Sequence, residues 1–286
     1  MRIRSVCWDI TSRCNENCLF CYSEKNIQEA SFEKNKRIMK NLISNGVGKI
    51  SFVGGEPLLY KELFNLVEYG KSLDSTVQFS LTTNAILLAD FNEEGDYIIN
   101  YPLVKRIEKY FDWITFSLDA PTQLFQTKMG RNIHHVDRVL SLLAYISMDI
   151  PKLRIKINTV VSRVNINSLY DMIPILEQYR VNRWKLFQFL PSRGLALMNK
   201  DVFYIDNDNF LLCVMRLKSL SHLNISTSTM LDFTKTYITI SPDGMLVVFD
   251  GDKYHCEIDM STGDVNSVFS YINQKLHAER RAGYLN

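Results

Sequence analysis

Strand-like and helix-like segments alternate along this chain up to residue 189, and the alternation restricts its fold more than any other feature. The strand-like segments are rich in β-branched and aromatic residues; they span residues 2–10, 49–53, 76–82, 113–118, 153–161 and 183–189. Segments with helical spacing of apolar residues lie between them, at residues 32–45, 61–73, 103–110, 134–148 and 168–179. Strands that alternate with helices form parallel sheets with right-handed crossovers, so we expect an α/β fold.

The number of strand–helix units predicts a barrel that is not complete. Six units are fewer than the eight of a closed (βα)8 barrel, so we predict a partial (βα)6 barrel over residues 1–200. Residues 201–286 are predicted to form a C-terminal extension, in one continuous domain with the barrel. Within it, residues 206–220 favour a helix, residues 237–240 and 245–249 flank a turn and predict a β-hairpin, and residues 268–286 favour a short helix with a basic tail.

Composition and hydropathy favour neither a nucleic-acid partner nor a membrane span. The 286 residues are 46% hydrophobic, which is sufficient for a large core, and the formal net charge of +2 does not favour nucleic-acid binding. The longest apolar runs have the length of strands, so no membrane-spanning helix is predicted. The first residues fit neither a signal peptide nor a transit peptide. We expect a cytoplasmic monomer without a nucleic-acid or membrane partner.

A Cys-x3-Cys-x2-Cys run, formed by Cys14, Cys18 and Cys21, follows the first strand. Cysteine thiolates are the usual ligands of iron–sulfur clusters, and this spacing lets one loop wrap a single cluster. Three ligands leave one iron of a four-iron cluster open for chemistry. A zinc site would need a fourth ligand, and the next cysteine is Cys213. Disulfides are disfavoured in a reducing compartment, and three unrelated core cysteines are the remaining alternative.

Polar and glycine residues follow several of the predicted strands. Ligands of parallel α/β sheets bind at the carboxyl ends of the strands. Gly54-Gly55-Glu56-Pro57 follows the second strand, Thr82-Thr83-Asn84 the third and Ser117-Leu118-Asp119 the fourth. Glycine lets a backbone approach a ligand closely because it has no Cβ. The alternative is a local role in turns and caps, which for Asp119 is as well supported as ligand contact.

The cysteine run, with Phe20 before its third cysteine, resembles the cluster loop of the radical S-adenosylmethionine (SAM) superfamily. The resemblance implies a four-iron, four-sulfur (4Fe-4S) cluster held by the three cysteines and SAM bound at its open iron. An electron would then cleave SAM to a 5′-deoxyadenosyl radical. The SAM-binding residues that it implies are Phe20, Gly54, Gly55, Glu56, Thr83, Asn84, Ser117, Asn158, Val160 and Gln188.

A narrower resemblance, to the viperin family of radical SAM enzymes, extends over nearly the whole chain. Its motifs lie at residues 128–131, 156–165, 183–188, 235–240 and 274–284. It implies dehydration of a ribonucleoside triphosphate, namely CTP, UTP or GTP, to the 3′-deoxy-3′,4′-didehydro form, an antiviral chain terminator. The radical would remove the ribose 4′ hydrogen. A reductase, a flavodoxin or a ferredoxin would supply electrons.

A triphosphate requires convergent cations, and the resemblance implies a set of substrate-binding candidates. These are Lys25, Arg131, His134, Lys156, Lys235 and Arg281, next to Arg280, with Tyr237 as a candidate catalytic residue near the substrate. Lys156 alternates with Ile155 and Ile157, so we expect it to face the barrel interior. Solvated surface charge is the alternative for each cation. The chain departs from the family at His134, where viperins have asparagine, and it lacks additional lysines there, so the nucleotide stays open.

Two other functions are compatible with the sequence. A radical SAM enzyme could act on another small molecule or on a peptide. The peptide-modifying members usually carry further cysteine-bound clusters in a C-terminal extension, and only Cys213 and Cys256 are found there. A metal-binding module without enzymatic activity is the third possibility.

Overall fold

The computed structural model describes residues 5–92, 96–232, 238–250, 253–262 and 270. The chain divides into two compact units, the first with residues 1–13, 26–79 and 231–286 and the second with residues 14–25 and 80–230. Several predicted features lie outside the described residues: Lys235, Tyr237, Arg280, Arg281 and all but residue 270 of the predicted C-terminal helix and tail.

The secondary structure follows the predicted alternation. The strands are β1 (Ser5–Thr11), β2 (Lys49–Gly54), β3 (Gln78–Thr83), β4 (Ala89–Phe91), β5 (Tyr97–Ile99), β6 (Trp113–Ser117), β7 (Arg154–Val161), β8 (Val181–Gln188), β9 (Ile225–Ser228), β10 (Thr239–Ile240), β11 (Met245–Asp250) and β12 (Lys253–Asp259). The helices are α1 (Phe32–Ser44), α2 (Leu63–Leu73), α3 (Tyr101–Tyr110), α4 (Gln123–Lys128), α5 (His135–Asp149), α6 (Met172–Leu176), α7 (Gly194–Met198), α8 (Lys200–Phe203) and α9 (Asn207–Leu220). Short 3-10 turns lie at Pro57–Leu59 and Ile166–Asp171.

In the first unit, β1 is the central strand of a mixed sheet. Its Cys7 lies opposite Ser51 of β2 and opposite Thr239 of β10, and both pairings are parallel. The antiparallel pairing of β10 with β11 confirms the predicted hairpin, and β12 continues it. The rings of Trp8, Phe52 and Phe79 stack in sequence, with centroid separations of 5.8 and 6.1 Å, and form a compact aromatic core.

In the second unit, every pairing of the main sheet is parallel, as the alternation predicts. The pairs are β3 with β6, β6 with β7, β7 with β8, and β8 with β9. Strand β9 was not predicted, because its sequence Ile-Ser-Thr-Ser is short and mostly polar. The small β4–β5 hairpin and the short helices α4, α7 and α8 were not predicted either, since none is long enough to show a clear periodicity.

The two faces of β7 and β8 differ in burial. Along β7 the buried residues alternate with partly exposed ones, so that Ile155 and Ile157 are fully buried and Lys156 is not. Side chains alternate between the faces of a strand, and residues paired in register therefore share a face. We call the partly exposed face the cationic face; it carries Lys156, Asn158, Val160, Arg183, Lys185 and Phe187.

Among the helices of the described residues, none has the length and apolar character that a membrane span requires.

Candidate active site

The cysteine loop belongs to the second unit. None of Cys14, Cys18 and Cys21 is in a disulfide, which removes the disulfide alternative. Cys18 is buried and the other two are partly exposed. Burial raises the pKa of the Cys18 thiol well above its usual value, and the positive charge of Arg131 opposes this shift. Three thiols in one loop, with a guanidinium nearby to stabilise thiolates, form a donor set suited to an iron–sulfur cluster.

The described residues do not contain a site for a single metal ion. No three histidine, cysteine, aspartate or glutamate side chains among them converge in the way that one ion would need. A cubane cluster differs in this respect, because each of its cysteine ligands binds a different iron atom. The absence of such a group among the described residues therefore does not contradict a cluster at these cysteines.

One side of the cysteine loop rests on the segment that follows α4. The amide of Leu19 donates to the carbonyl oxygen of Met129 at 2.9 Å. Gly130, the next residue, has a φ of +84°, and a Cβ on it would lie 2.7 Å from the carbonyl oxygen of Asn17. Only glycine fits this contact without displacing the loop. Gly130 lies in the motif at residues 128–131, but the motif alone does not predict this role.

The other side of the loop is held by the chain around α7. The amide of Ala196 donates to the carbonyl oxygen of Cys21 at 2.9 Å, and the side chain of Asn199 donates to that of Leu19 at 2.9 Å. Arg193 donates through Nε to the carbonyl oxygen of Tyr22 at 3.0 Å. These anchors are not predicted from the sequence, because short polar segments give no periodic signal.

Arg131, a predicted phosphate ligand, is buried in ion pairs. Its Nη2 lies 2.8 Å from Oδ2 of Asp119, and its Nη1 lies 3.4 Å from Oε2 of Glu16. Its guanidinium carbon lies 5.4 Å from the ring centroid of Phe20. Burial alone would lower the pKa of Arg131, but Cys18, Asp119 and Glu16 together raise it above its usual value. These contacts favour a role in holding the cysteine loop over direct contact with a phosphate.

Asp119 and His135 connect this ion pair to neighbouring strands. The second oxygen of Asp119, Oδ1, accepts from the amide of Val160 at 2.8 Å, so the structure favours the local role over ligand contact for Asp119. His135 is fully buried, and its Nε2 donates to the carbonyl oxygen of Ser117 at 2.7 Å. Burial and the nearby Arg131 charge lower the pKa of His135 well below 6.5, so the ring is neutral and Nε2 carries the proton.

The Gly-Gly-Glu-Pro turn lies in the first unit. The amide of Gly55 donates to the carbonyl oxygen of Thr11 at 2.7 Å. A Cβ on Gly55 would lie 2.1 Å from the carbonyl oxygen of Arg13, and Gly54 has a φ of +126°. Both glycines are therefore required by the approach of two chain segments, whether or not a ligand also contacts them. Glu56 is buried and accepts from the amide of Leu58, which starts the 3-10 turn.

The end of β3 contacts the cysteine loop. The amide group of Asn84 donates to Oδ1 of Asn15 at 2.7 Å and lies 3.8 Å from the Cys14 sulfur. Thr83 is buried, and its hydroxyl accepts from the amide of Ala85 at 3.1 Å. The structure therefore places Asn84 beside a predicted cluster ligand, whereas the described contact of Thr83 is with its own turn.

The cationic face carries several buried polar atoms that have no hydrogen-bond partner among the described residues. They are Oδ1 of Asn158, Oγ1 of Thr115, Oγ of Ser226 and Nε of Arg183. Register places these residues side by side: Thr115, Lys156 and Arg183 form one row across the strands, and Ser117, Asn158, Lys185 and Ser226 form the next. A buried polar atom without a partner costs free energy, so a water molecule or a polar group of a ligand is expected beside each of them.

Of the cations on this face, Lys156 is predicted from the sequence as a substrate-binding residue, whereas Arg183 and Lys185 are not. All three side chains lie on one face only because Lys156 pairs with Arg183, and Asn158 with Lys185. The guanidinium carbons of Arg154 and Arg183 also lie 4.4 and 5.8 Å from the ring centroid of Trp113. The signal was present in the alternation of the 183–188 motif, but the register between β7 and β8 was needed to use it.

Four other predicted site residues have described contacts elsewhere. His134 is exposed, and its ring centroid lies 4.0 Å from that of Phe91. Lys25 is exposed and donates to the side chain of Asn17. Gln188 donates to the carbonyl oxygen of Ile205 and accepts from the amide of Met230. Phe20 packs against Phe203, with the ring centroids 6.0 Å apart.

Comparison with known proteins agrees with this geometry. A sequence profile of the Radical SAM superfamily matches residues 8–173. An S-adenosylmethionine-dependent nucleotide dehydratase of Flammeovirga pacifica is 30% identical over 252 residues, which are 85% of this chain and 81% of that protein. A protein of the same description from Selenomonas ruminantium is 26% identical, and the match covers 96% of this chain and 97% of the relative.

A solved structure with a similar fold is that of Streptococcus suis SuiB bound to S-adenosylmethionine. The TM-score is 0.68 and the sequence identity 17%, and the match covers 94% of this chain and 66% of SuiB. At this identity, the likeness concerns the fold alone.

Proposed function

Because the chain belongs to the radical SAM superfamily and, within it, to the S-adenosylmethionine-dependent nucleotide dehydratases, we propose that it dehydrates a ribonucleoside triphosphate. This membership confirms the resemblance drawn from the cysteine run, and with it a 4Fe-4S cluster and SAM as cofactors. The product that we propose is the 3′-deoxy-3′,4′-didehydro nucleotide, and CTP, UTP and GTP are the candidate substrates. A reductase, a flavodoxin or a ferredoxin is the proposed electron donor.

The cationic face is the observation that carries the choice of a phosphorylated substrate. Lys156, Arg183 and Lys185 lie in adjacent rows of β7 and β8. Arginine binds phosphate through paired N–H donors and lysine as a point charge. Nε of Arg183 is a buried donor without a partner among the described residues, and a phosphate oxygen would satisfy it.

Each part of the chain then has a distinct role. Cys14, Cys18 and Cys21 would hold the cluster, and Asn158 would place its unpartnered oxygen towards a hydroxyl or ammonium group of a bound ligand. The cations would fix the triphosphate, and thereby the position of the ribose. When bound, the cluster and SAM supply the 5′-deoxyadenosyl radical that removes the ribose 4′ hydrogen. The 3′ hydroxyl takes up a proton and leaves as water, and an electron from the donor reduces the remaining radical to the product.

A panel of the four ribonucleoside triphosphates tests this function. The protein, with its cluster reconstituted anaerobically, is incubated with SAM, a reductant and one nucleotide, and the products are identified by mass spectrometry. We expect one or more nucleotides to stimulate formation of 5′-deoxyadenosine and to yield a product lighter by one water. If no nucleotide stimulates it, the proposal is wrong, and a peptide or another small molecule becomes the substrate to test.

Substitutions on the cationic face test the phosphate contacts separately. Arg183→Gln and Lys185→Gln are each expected to raise the KM for the nucleotide by about 10-fold or more, since a hydrogen bond to a charged group contributes about 1.5–3 kcal/mol. Lys152→Gln is the matched control, because Lys152 is exposed and precedes β7. Equal KM values in all three variants would contradict the assignment of this face.

A further inference from the structure

Glu16 is a buried acid in the middle of the cysteine loop, between Cys14 and Cys18. Its side chain is only 1% exposed. Burial of a carboxylate costs free energy unless the charge is paired and hydrogen-bonded. The proposed chemistry does not use Glu16, so its burial calls for another reason.

The contacts of Glu16 join the loop to the segment between α4 and α5. Oε1 accepts from the amide of Asn132 at 3.1 Å and lies 3.9 Å from Nδ1 of His135. Oε2 lies 3.4 Å from Nη1 of Arg131, and the Cys18 thiol donates to it at 3.3 Å, a contact that ends when the thiol loses its proton to bind iron. One carboxylate of the cysteine loop therefore contacts three residues outside the loop, and these contacts do not depend on the Cys18 proton.

Those residues extend the connection to the carboxyl ends of two strands. Arg131 is bound to Asp119, which accepts from the amide of Val160 on β7. His135 donates to the carbonyl oxygen of Ser117, the last residue of β6. A continuous set of buried contacts thus runs from Glu16 of the cysteine loop to the strand ends at which the resemblance places SAM.

We propose that Glu16 is a positioning residue that fixes the cluster-binding loop against the ends of β6 and β7. SAM must bind the cluster and the strand ends at the same time, so the two need a fixed mutual position. Glu16 is suited to this role because its side-chain carboxylate, which belongs to the loop, contacts both the backbone amide of Asn132 and the guanidinium of Arg131. The proposal rests on the cofactors of the superfamily and not on the nature of the nucleotide.

The pairing also balances charge beside Cys18. The potential of an iron–sulfur cluster depends on nearby charge and hydrogen bonds. Loss of the Glu16 charge would remove a negative charge near the cluster and favour its reduced form, whereas loss of the positive charge of Arg131 would have the opposite effect. A role limited to general folding would not produce shifts of opposite sign.

The test uses the full-length protein with its reconstituted cluster and no nucleotide, so that its outcome is independent of the proposed substrate. The variants are Glu16→Gln, which keeps an oxygen acceptor for Asn132, and Arg131→Gln. Glu33→Gln is the matched control, because Glu33 lies outside the cysteine loop with its side chain 69% exposed. The measurements are iron loss to a chelator, the midpoint potential, and the electron paramagnetic resonance spectrum with and without SAM.

We expect Glu16→Gln to lose iron about 10-fold faster or more, as is usual when a residue that orients a metal ligand is removed. Its midpoint potential should become more positive and that of Arg131→Gln more negative, and the spectral change caused by SAM should weaken in Glu16→Gln. Glu33→Gln should match the unaltered protein. Iron loss in Glu16→Gln within 2-fold of the control, or shifts of the same sign in both variants, would overturn the proposal.

Should Glu16→Gln fail to fold, Glu16→Asp takes its place. This variant keeps the charge but withdraws it by one methylene group. We expect a nearly unchanged potential together with faster iron loss. Iron retention equal to that of the unaltered protein would then overturn the proposal.

Discussion

Nη2 of Arg131 lies 2.8 Å from Oδ2 of Asp119, and the two side chains are 7% and 1% exposed. A buried charge that loses its partner is strongly destabilising, by about 3–5 kcal/mol. We therefore expect Asp119→Asn to lower the free energy of unfolding of the cluster-free protein by about this amount, measured by urea denaturation. Glu108→Gln, which breaks the exposed pair with Lys105, should cost much less, because solvent screens an exposed pair. Equal effects would contradict the buried pairing.

Gly55 is expected to tolerate no side chain. Because a Cβ would lie 2.1 Å from the carbonyl oxygen of Arg13, Gly55→Ala must displace the segment that leads into the cysteine loop. We expect a loss of about 1–3 kcal/mol in the free energy of unfolding and weaker binding of SAM by the reconstituted protein. Ser44→Ala, at an exposed helical position, is the control. Unchanged stability of Gly55→Ala would show that the turn can shift.

Asn158 is expected to contribute to ligand affinity and not to the stability of the folded protein. Its Oδ1 is buried without a partner among the described residues, so Asn158→Leu removes an unsatisfied acceptor. We expect the cluster-free protein to be as stable as before or more stable by about 1 kcal/mol, while ligand affinity of the reconstituted protein falls. Calorimetry with SAM and with the nucleotide measures the second effect.

Asn182→Leu is the informative comparison for that variant. Oδ1 of Asn182 accepts from the amide of Ile155 at 2.8 Å, so this substitution should cost about 1 kcal/mol without a change in affinity. If Asn158→Leu lost stability but kept full affinity for both ligands, its oxygen would have no ligand role.

Because His135 is buried, the free energy of unfolding of the protein should depend on pH. Burial and the charge of Arg131 keep its pKa well below 6.5 in the folded protein, whereas in the unfolded chain it titrates near 6.5. The unfolded state therefore binds more protons below that pH, and the free energy of unfolding should fall by up to about 1.4 kcal/mol per pH unit under acidic conditions.

Urea denaturation of the cluster-free protein at neutral and at mildly acidic pH measures this slope. His135→Gln keeps a donor for Ser117 but does not titrate, so its slope should be smaller. His134→Gln, at the exposed neighbouring residue, should leave the slope unchanged. An identical slope in all three proteins would assign the pH dependence to other groups.

The alternation of strands and helices could be predicted from sequence because each periodicity is local. Ile155 and Ile157 alternate with Lys156, and this pattern alone placed β7 and its two faces. The short helices α4 and α7 have too few residues for such a pattern, although both lie beside segments that hold the cysteine loop. Chain segments that are stabilised mainly by tertiary contacts show no clear periodic pattern in the local sequence.

The site was predictable in its ligand types but not in its supporting contacts. The cysteines, the glycine turn and Lys156 follow from spacing and resemblance. Arg131 illustrates the difference: from sequence it is a cation available to phosphate, but its partner Glu16 is 115 residues away. Likewise, Arg183 and Lys185 join Lys156 only through the register of β7 and β8. Contacts between distant residues require the fold before they can be assigned.

Because burial alternates along β7 and β8, one side of these strands is constrained by packing and the other side is open to a ligand. The sizes of Ile157 and Trp184 are constrained because both side chains are packed in the protein interior. Lys156 and Lys185, one position away, are partly exposed and are not constrained in this way. Substitutions on the open side of β7 and β8 could therefore change which ligand is bound, while the packed side continues to hold the sheet together.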